Sequence, residues 1–216
     1  MKRWSLLLCL VFVGFGLGAS AEESWPEKKS DARGDSEANR HDKQFTVLGQ
    51  LTGLSTAAIG AQQVHLGYFL SPTSLVQLEI GQGRNEGLFF FSSYRVLRVD
   101  SLGIQFKKFV ANSFYFKTGL DYQAIDYSYN LYSNDYYGFK GNTLGATFSI
   151  GNQWQFENFT LGCDWVGIFL PIASNTTKDV VTANSSYSRS ESDSDQKRYL
   201  KDSSLQFVRF YLGASF

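Results

Sequence analysis

The last thirteen residues, 204–216 (SLQFVRFYLGASF), alternate between two environments up to the end of the chain. Val208, Phe210, Leu212, Ala214 and Phe216 share one face, and Phe207, Arg209, Tyr211, Gly213 and Ser215 share the other. A period of two marks a strand whose faces have different surroundings. A soluble sandwich produces the same alternation but rarely ends its last strand on a terminal aromatic. The feature therefore favours a sheet with one face in an apolar solvent.

The same period recurs upstream. Candidate strands occupy 45–54, 64–70, 75–83, 94–109, 114–125, 143–156 and 159–170, which with the terminal strand makes eight. Their connections are of two kinds. SPTS (71–74), VANS (110–113) and Glu157-Asn158 are tight hairpins, whereas 55–63, 84–93, 126–142 and 171–203 are long. Short turns at one end and long loops at the other, with even parity, put both termini at the short-turn end. The expected fold is all-β, an eight-stranded antiparallel up-and-down transmembrane barrel over residues 44–216.

The faces separate this reading from a lipocalin-like barrel. On the sixth strand Leu144, Ala146, Phe148, Ile150, Trp154 and Phe156 oppose Thr143, Gly145, Thr147, Ser149, Gly151, Gln153 and Gln155. The seventh sets Phe159, Leu161, Cys163, Trp165 and Phe169 against Thr160, Gly162 and Asp164. Small and polar residues suit a narrow interior and bulky apolar ones a lipid exterior; a lipocalin needs the reverse. Aromatics near strand ends fit the headgroup level, with Trp154, Phe156, Phe159, Phe114 and Phe216 at one rim and Tyr94, Tyr127, Tyr129 and Tyr132 at the other. The fourth strand breaks the rule, because Leu97 and Val99 oppose the parity of Leu102, Ile104 and Phe106. A bulge near 99–101, or projection beyond the bilayer, would account for it.

The chain begins with Lys2 and Arg3, an apolar run over 6–17, and Ala19, Ser20 and Ala21. This reads as a signal peptide over 1–21, its run too short for a spanning helix. Without it one cysteine remains, Cys163, which excludes an internal disulfide. Residues 22–43 (EESWPEKKSDARGDSEANRHDK) are charged and almost without apolar side chains, and are expected to form a flexible periplasmic tether. Its RGD tripeptide is too short to imply adhesion.

The terminal alternation and final Phe resemble the C-terminal strand of bacterial outer-membrane β-barrels, in which that strand is the assembly signal. The resemblance carries this role onto Val208, Phe210, Leu212, Ala214 and Phe216. Across all eight strands the chain is similar to the small barrels of the OmpA transmembrane domain, OmpX and OmpW groups. It implies a Gram-negative outer membrane with periplasmic termini, contact with outer-membrane lipid and lipopolysaccharide, and delivery by a barrel assembly machinery. A shared fold does not specify a function.

Parity points Glu79, Asp121, Asp164, Lys107, Lys117, Arg209 and His65 inward. Three acids facing three bases suggest a structural charge network, with an ion path as the alternative. Enzymes among eight-stranded outer-membrane barrels, such as lipid A deacylases and palmitoyltransferases, need a Ser beside a His; His65 has no Ser at matching height, so no catalytic residues are assigned. No metal-ligand spacing or cofactor motif is present, and GQGRNEG (81–87) lacks the context of a nucleotide loop. With 20 basic and 20 acidic residues and no basic stripe, nucleic acid is not an expected partner. LFFF (88–91) and DYYGF (135–139) mark apolar loop tips for an unidentified extracellular ligand. The expected function is a structural or surface-interaction barrel with a filled lumen. The alternatives are a small-solute channel and, behind it, a lipid-modifying enzyme.

Overall fold

The computed structural model describes residues 35–55, 62–86, 93–131, 136–181 and 186–216. Eight strands, β1 (Phe45–Ser55), β2 (Gln62–Ser71), β3 (Ser74–Glu86), β4 (Ser93–Phe109), β5 (Phe114–Leu131), β6 (Tyr136–Phe156), β7 (Phe159–Val181) and β8 (Ser204–Ser215), pair antiparallel in sequence order. β8 returns to β1 and closes the barrel. Closure leaves no sheet edge along the paired segments, so ladder N–H and C=O groups are satisfied without water. At the seam the backbone N–H groups of Gln44 and Phe45 both donate to the carbonyl of Phe216, at 3.0 and 2.8 Å, and the Phe216 N–H donates to the Phe45 carbonyl at 2.9 Å.

Two short helical pieces interrupt the β architecture. Helix α1 (Ser36–Arg40) precedes β1, and helix α2 (Ser186–Gln196) continues into a π-helical turn (Lys197–Lys201) before β8. The expected signal peptide and residues 22–34 of the expected tether lie outside the described residues, as does the LFFF tip. Residues 35–43, however, are held in place. Asp35, the last residue of the RGD tripeptide, caps α1 by accepting from the N–H groups of Glu37 and Ala38. The helix then binds two of the short turns, at Pro72 and Asn112, and the end of β6 at Gln155, while Lys43 beyond it reaches Asn158 of the third turn, so the polar side chains that argued against a buried position are used as hydrogen-bonding groups.

Along β6 the outward positions from Leu144 to Phe156 span twelve residue steps, or about 30 Å of height at ~3.3 Å per residue and ~40° tilt. That matches the apolar band and aromatic girdles of a membrane barrel. Beyond this band the strands continue and the faces exchange character. The outward positions become Arg84, Arg98, Asp126 and Lys140, while Leu97, Val99, Ile125, Tyr127, Tyr129, Tyr137 and Phe139 pack inside with Leu200 of the π-helical turn. An apolar interior with a polar exterior is the pattern of a barrel in water.

This exchange corrects several expectations. β4 pairs with β3 and β5 without any register shift, so no bulge lies near Val99; Leu97 and Val99 face an apolar interior. Tyr127 and Tyr129 are buried inside rather than placed in a girdle. Tyr137 and Phe139 of the DYYGF segment are 0% and 1% exposed, on β6 rather than at a loop tip. β5 and β6 accordingly run past their expected ends, where the alternation continues with inverted faces, and β7 runs on through residues 172–179, which are exposed on both faces.

Parity on β7 also changes. The β6 partners step from Ile150–Val166 to Gly151–Asp164, leaving Trp165 as an extra outward residue. A bulge of this kind shifts all later residues to the other face. Phe169 therefore points inward, 2% exposed, against Gly145, where an added Cβ would overlap the ring. Phe207 likewise faces outward, because Val208, at φ 42°, adds a second consecutive outward residue to β8.

Candidate functional site: the charged layer of the lumen

The lumen is layered. At the short-turn end, Phe69, Leu75, Phe109 and Tyr115 form an apolar floor, closed from below by α1. The Arg40 guanidinium lies 3.8 Å from the Phe109 ring centroid and donates to the carbonyls of Pro72 and Asn112, each at 2.8 Å. Burial lowers its pKa to about 10, which leaves it charged at neutral pH. Asn39 Nδ2 donates to the Gln155 carbonyl at 2.9 Å, and the Gln155 N–H donates to Ser36 Oγ at 3.1 Å. Lys43 Nζ donates to Asn158 Oδ1 at 2.5 Å. A helix of five residues has little stability of its own; these contacts position it.

Above the floor, the charges read from parity come together. Lys117 Nζ lies 2.8 Å from Glu79 Oε1 and 2.8 Å from Asp164 Oδ2. Arg209 pairs with the same Asp164 oxygen, and the Tyr115 hydroxyl donates to the other. Each side chain is under a tenth exposed. One carboxylate thus accepts from an ammonium, a guanidinium and a phenol, the arrangement a charge needs when taken out of water.

Two of the six expected members take other partners. Lys107 makes no ion pair among the described residues; its ammonium donates to Gln153 Oε1 at 2.8 Å and Tyr211 Oη at 3.2 Å, and sits 4.3 and 4.9 Å from the Tyr115 and Tyr211 ring centroids. Phenol oxygens and ring faces stabilise it in place of a carboxylate. Asp121 accepts from Gln123 Nε2 at 3.0 Å and forms no ion pair among the described residues. His65 is 1% exposed, 5.6 Å from the Tyr211 ring, and neither ring nitrogen has a hydrogen-bond partner among the described residues. No described group of His, Cys, Asp and Glu is arranged to hold a metal ion.

At the far end the segment before β8 packs into the lumen. Leu200 is fully buried against the inner aromatic cluster, and its carbonyl accepts from Thr143 Oγ1 at 3.0 Å. One Asp195 oxygen accepts from the hydroxyls of Tyr127 and Tyr137, at 2.7 and 2.9 Å.

Solved structures that resemble this chain include the following three. The CarO2 and CarO proteins of Acinetobacter baumannii share 12% and 13% identity with it, over 80% and 79% of this chain and 100% and 96% of theirs, with TM-scores of 0.46 and 0.45. A major outer membrane protein of Thermus thermophilus shares 14% identity over 82% of this chain and 100% of its own, with a TM-score of 0.50. The fold is that of a small outer-membrane barrel. At these identities the likeness is one of fold alone. No protein-family model and no curated protein sequence matches the chain.

Charge alone did not find every member of the luminal layer. Tyr115, Tyr211 and Gln153 complete it, and each has inward parity in the sequence. The further clue is small residues nearby: a Cβ on Gly151 would overlap the Tyr115 hydroxyl, and one on Gly162 would overlap the Tyr211 ring. Arg40 carried no such clue, because its partners are backbone carbonyls.

Proposed function

We propose that the protein is an integral outer-membrane barrel with a structural or surface-interaction role, its lumen filled by side chains rather than serving as a solute path. The observation that supports this most is the succession of layers within one narrow barrel. From α1 through the Lys117 ion-pair layer to Leu200, both mouths are covered by the chain's own segments and the middle is occupied by paired charges. About eight strands enclose an interior just wide enough for side chains.

In this reading the short-turn end with both termini faces the periplasm, outer-membrane lipid surrounds the apolar band, and a barrel assembly machinery delivers the chain through its terminal strand. The exchanged faces of β4 to β6 beyond the band support the same reading, in which these strand tops stand in water outside the cell and would meet a surface partner.

Two measurements test it. Fractionation should recover the chain with outer membranes, in a folded form that changes gel mobility on heating; recovery as a soluble periplasmic protein would overturn the membrane reading. Purified barrel in a planar bilayer should show little steady conductance. Reproducible steady currents would replace this reading with the channel.

A further inference from the structure

Resting on the membrane reading above, we propose that the outward faces of β3, β4, β6 and β7 form a binding site for a phosphorylated lipid headgroup, built on Arg84, Arg98, Lys140 and Lys178. Cross-strand register places these residues in one row. Arg84 faces Arg98, Arg98 faces Asp126, Asp126 faces Lys140, and Lys140 faces Lys178. All four cations are exposed.

The row has a fixed relation to the apolar surface. Ile80, Leu102, Tyr122 and Leu144 form the last outward apolar row, also in mutual register. The basic row lies four residues farther along β3, β4, β5 and β6, which is about 13 Å along the strand and about 10 Å in height after tilt. The headgroup layer extends roughly 5–8 Å beyond the hydrocarbon, and Arg and Lys side chains reach back several ångströms along their stems. Their charged ends therefore lie at the depth of lipid phosphates.

The charge pattern is asymmetric. Like charges directly opposite across strands are destabilising, yet this row holds two such pairs, Arg84 with Arg98 and Lys140 with Lys178. Asp126, 2.5 Å from Lys140, supplies the row's one carboxylate, and Asp100 in the row below accepts from Gln82 at 2.8 Å. An anion seated on the row adds charge-assisted contacts across it, and guanidinium forks suit phosphate oxygens. Acyl chains attached to that anion would lie along the apolar band directly below. A lipid thus satisfies both surfaces, whereas a free anion satisfies one.

The test uses the full-length barrel in neutral detergent micelles, titrated by native mass spectrometry with diphosphoryl lipid A, with the same lipid stripped of phosphate, and with inorganic phosphate. Wild type should prefer the phosphorylated lipid about tenfold or more, as expected for a few charge-assisted bonds, with the preference falling as salt rises. R84Q/R98Q and K140Q/K178Q should each reduce it several-fold and their combination should abolish it, while K108Q at the opposite end should leave it intact. Heat-modifiable mobility verifies that each variant is folded; if one is not, the wild-type preference and its salt dependence still decide. Equal binding of the two lipids, unchanged preference in the combined variant, or competition by inorganic phosphate at lipid concentrations would overturn the proposal. A soluble cellular pool would instead defeat the membrane reading, which the micelle titration does not measure.

Discussion

Asp164 of β7 and Arg209 of β8 are direct cross-strand partners, one step short of the point where both strands carry an extra outward residue. Trp165 and Val208 lie between that pair and the next, Val166 with Phe207. Val208 has φ 42°, a left-handed conformation that costs a β-branched residue about 1–2 kcal/mol. The strain accompanies an inward Arg209 and outward Phe207 and Val208. Val208→Gly should therefore be neutral or stabilising in urea unfolding from micelles. Leu212→Gly, on the same outward face in ordinary strand geometry, should lose about 1 kcal/mol or more. Equal losses at the two positions would remove the strain argument.

Lys117 joins the two acids of the luminal layer. Lys117→Met leaves Asp164 with Arg209 and Tyr115 but Glu79 with no cation, only the amide of Gln77, and should cost about 3–5 kcal/mol, as for a broken buried pair. Arg209→Ala should cost less, because Asp164 keeps Lys117 and Tyr115. Replacing Glu79, Lys117, Asp164 and Arg209 together by Gln, Met, Asn and Met, so that no member of the ion-paired set is left without its partner, should recover much of the loss. If Lys117→Met is as stable as wild type in equilibrium unfolding, water reaches the layer and the lumen is not dry.

Strand number, closure and the luminal charges were legible in the sequence because one rule, apolar outward and small or polar inward, holds through the outward apolar band. Glu79, Lys107, Lys117, Asp121, Asp164 and Arg209 all obey it. The rule failed where the solvent changes. Leu97, Tyr127 and Phe139 face inward because beyond the apolar band the outward face turns polar and the interior apolar, and Phe169 does so because Trp165 shifts the count by one. Neither a change of solvent nor an extra residue has a local composition that marks it. Helix α1 was missed for a third reason, since Asn39 and Arg40 anchor it to backbone carbonyls that any turn sequence offers.

Phe216 connects the terminal strand to the start of the first. Its carbonyl accepts two N–H groups, from Gln44 and Phe45, and its ring lies 6.2 Å from that of Phe45. Deleting Phe216 removes the last ladder bonds of the β1–β8 seam together with an exposed aromatic. Insertion yield in cells should fall severalfold, whereas Ser186→Ala in the fourth loop should leave it unchanged. Equal yields would separate the terminal residue from assembly.

Arg40 offers a way to detach α1 without touching the barrel wall. Its guanidinium makes two hydrogen bonds to turn carbonyls and stacks on Phe109, and a five-residue helix does not persist once such anchors are lost. Arg40→Ala should therefore release residues 35–43, seen as faster hydrogen exchange at the amides of Ala38 and Asn39, while unfolding of the barrel in urea changes by no more than about 1–2 kcal/mol. Conductance should stay low in this variant, because the layer of Lys117, Glu79 and Asp164 lies above the helix and does not depend on it. If Arg40→Ala instead opens steady currents, α1 is the closure of the lumen and the charged layer is permeable. If exchange is unchanged, the contacts of Ser36, Asn39 and Lys43 hold the helix without the arginine.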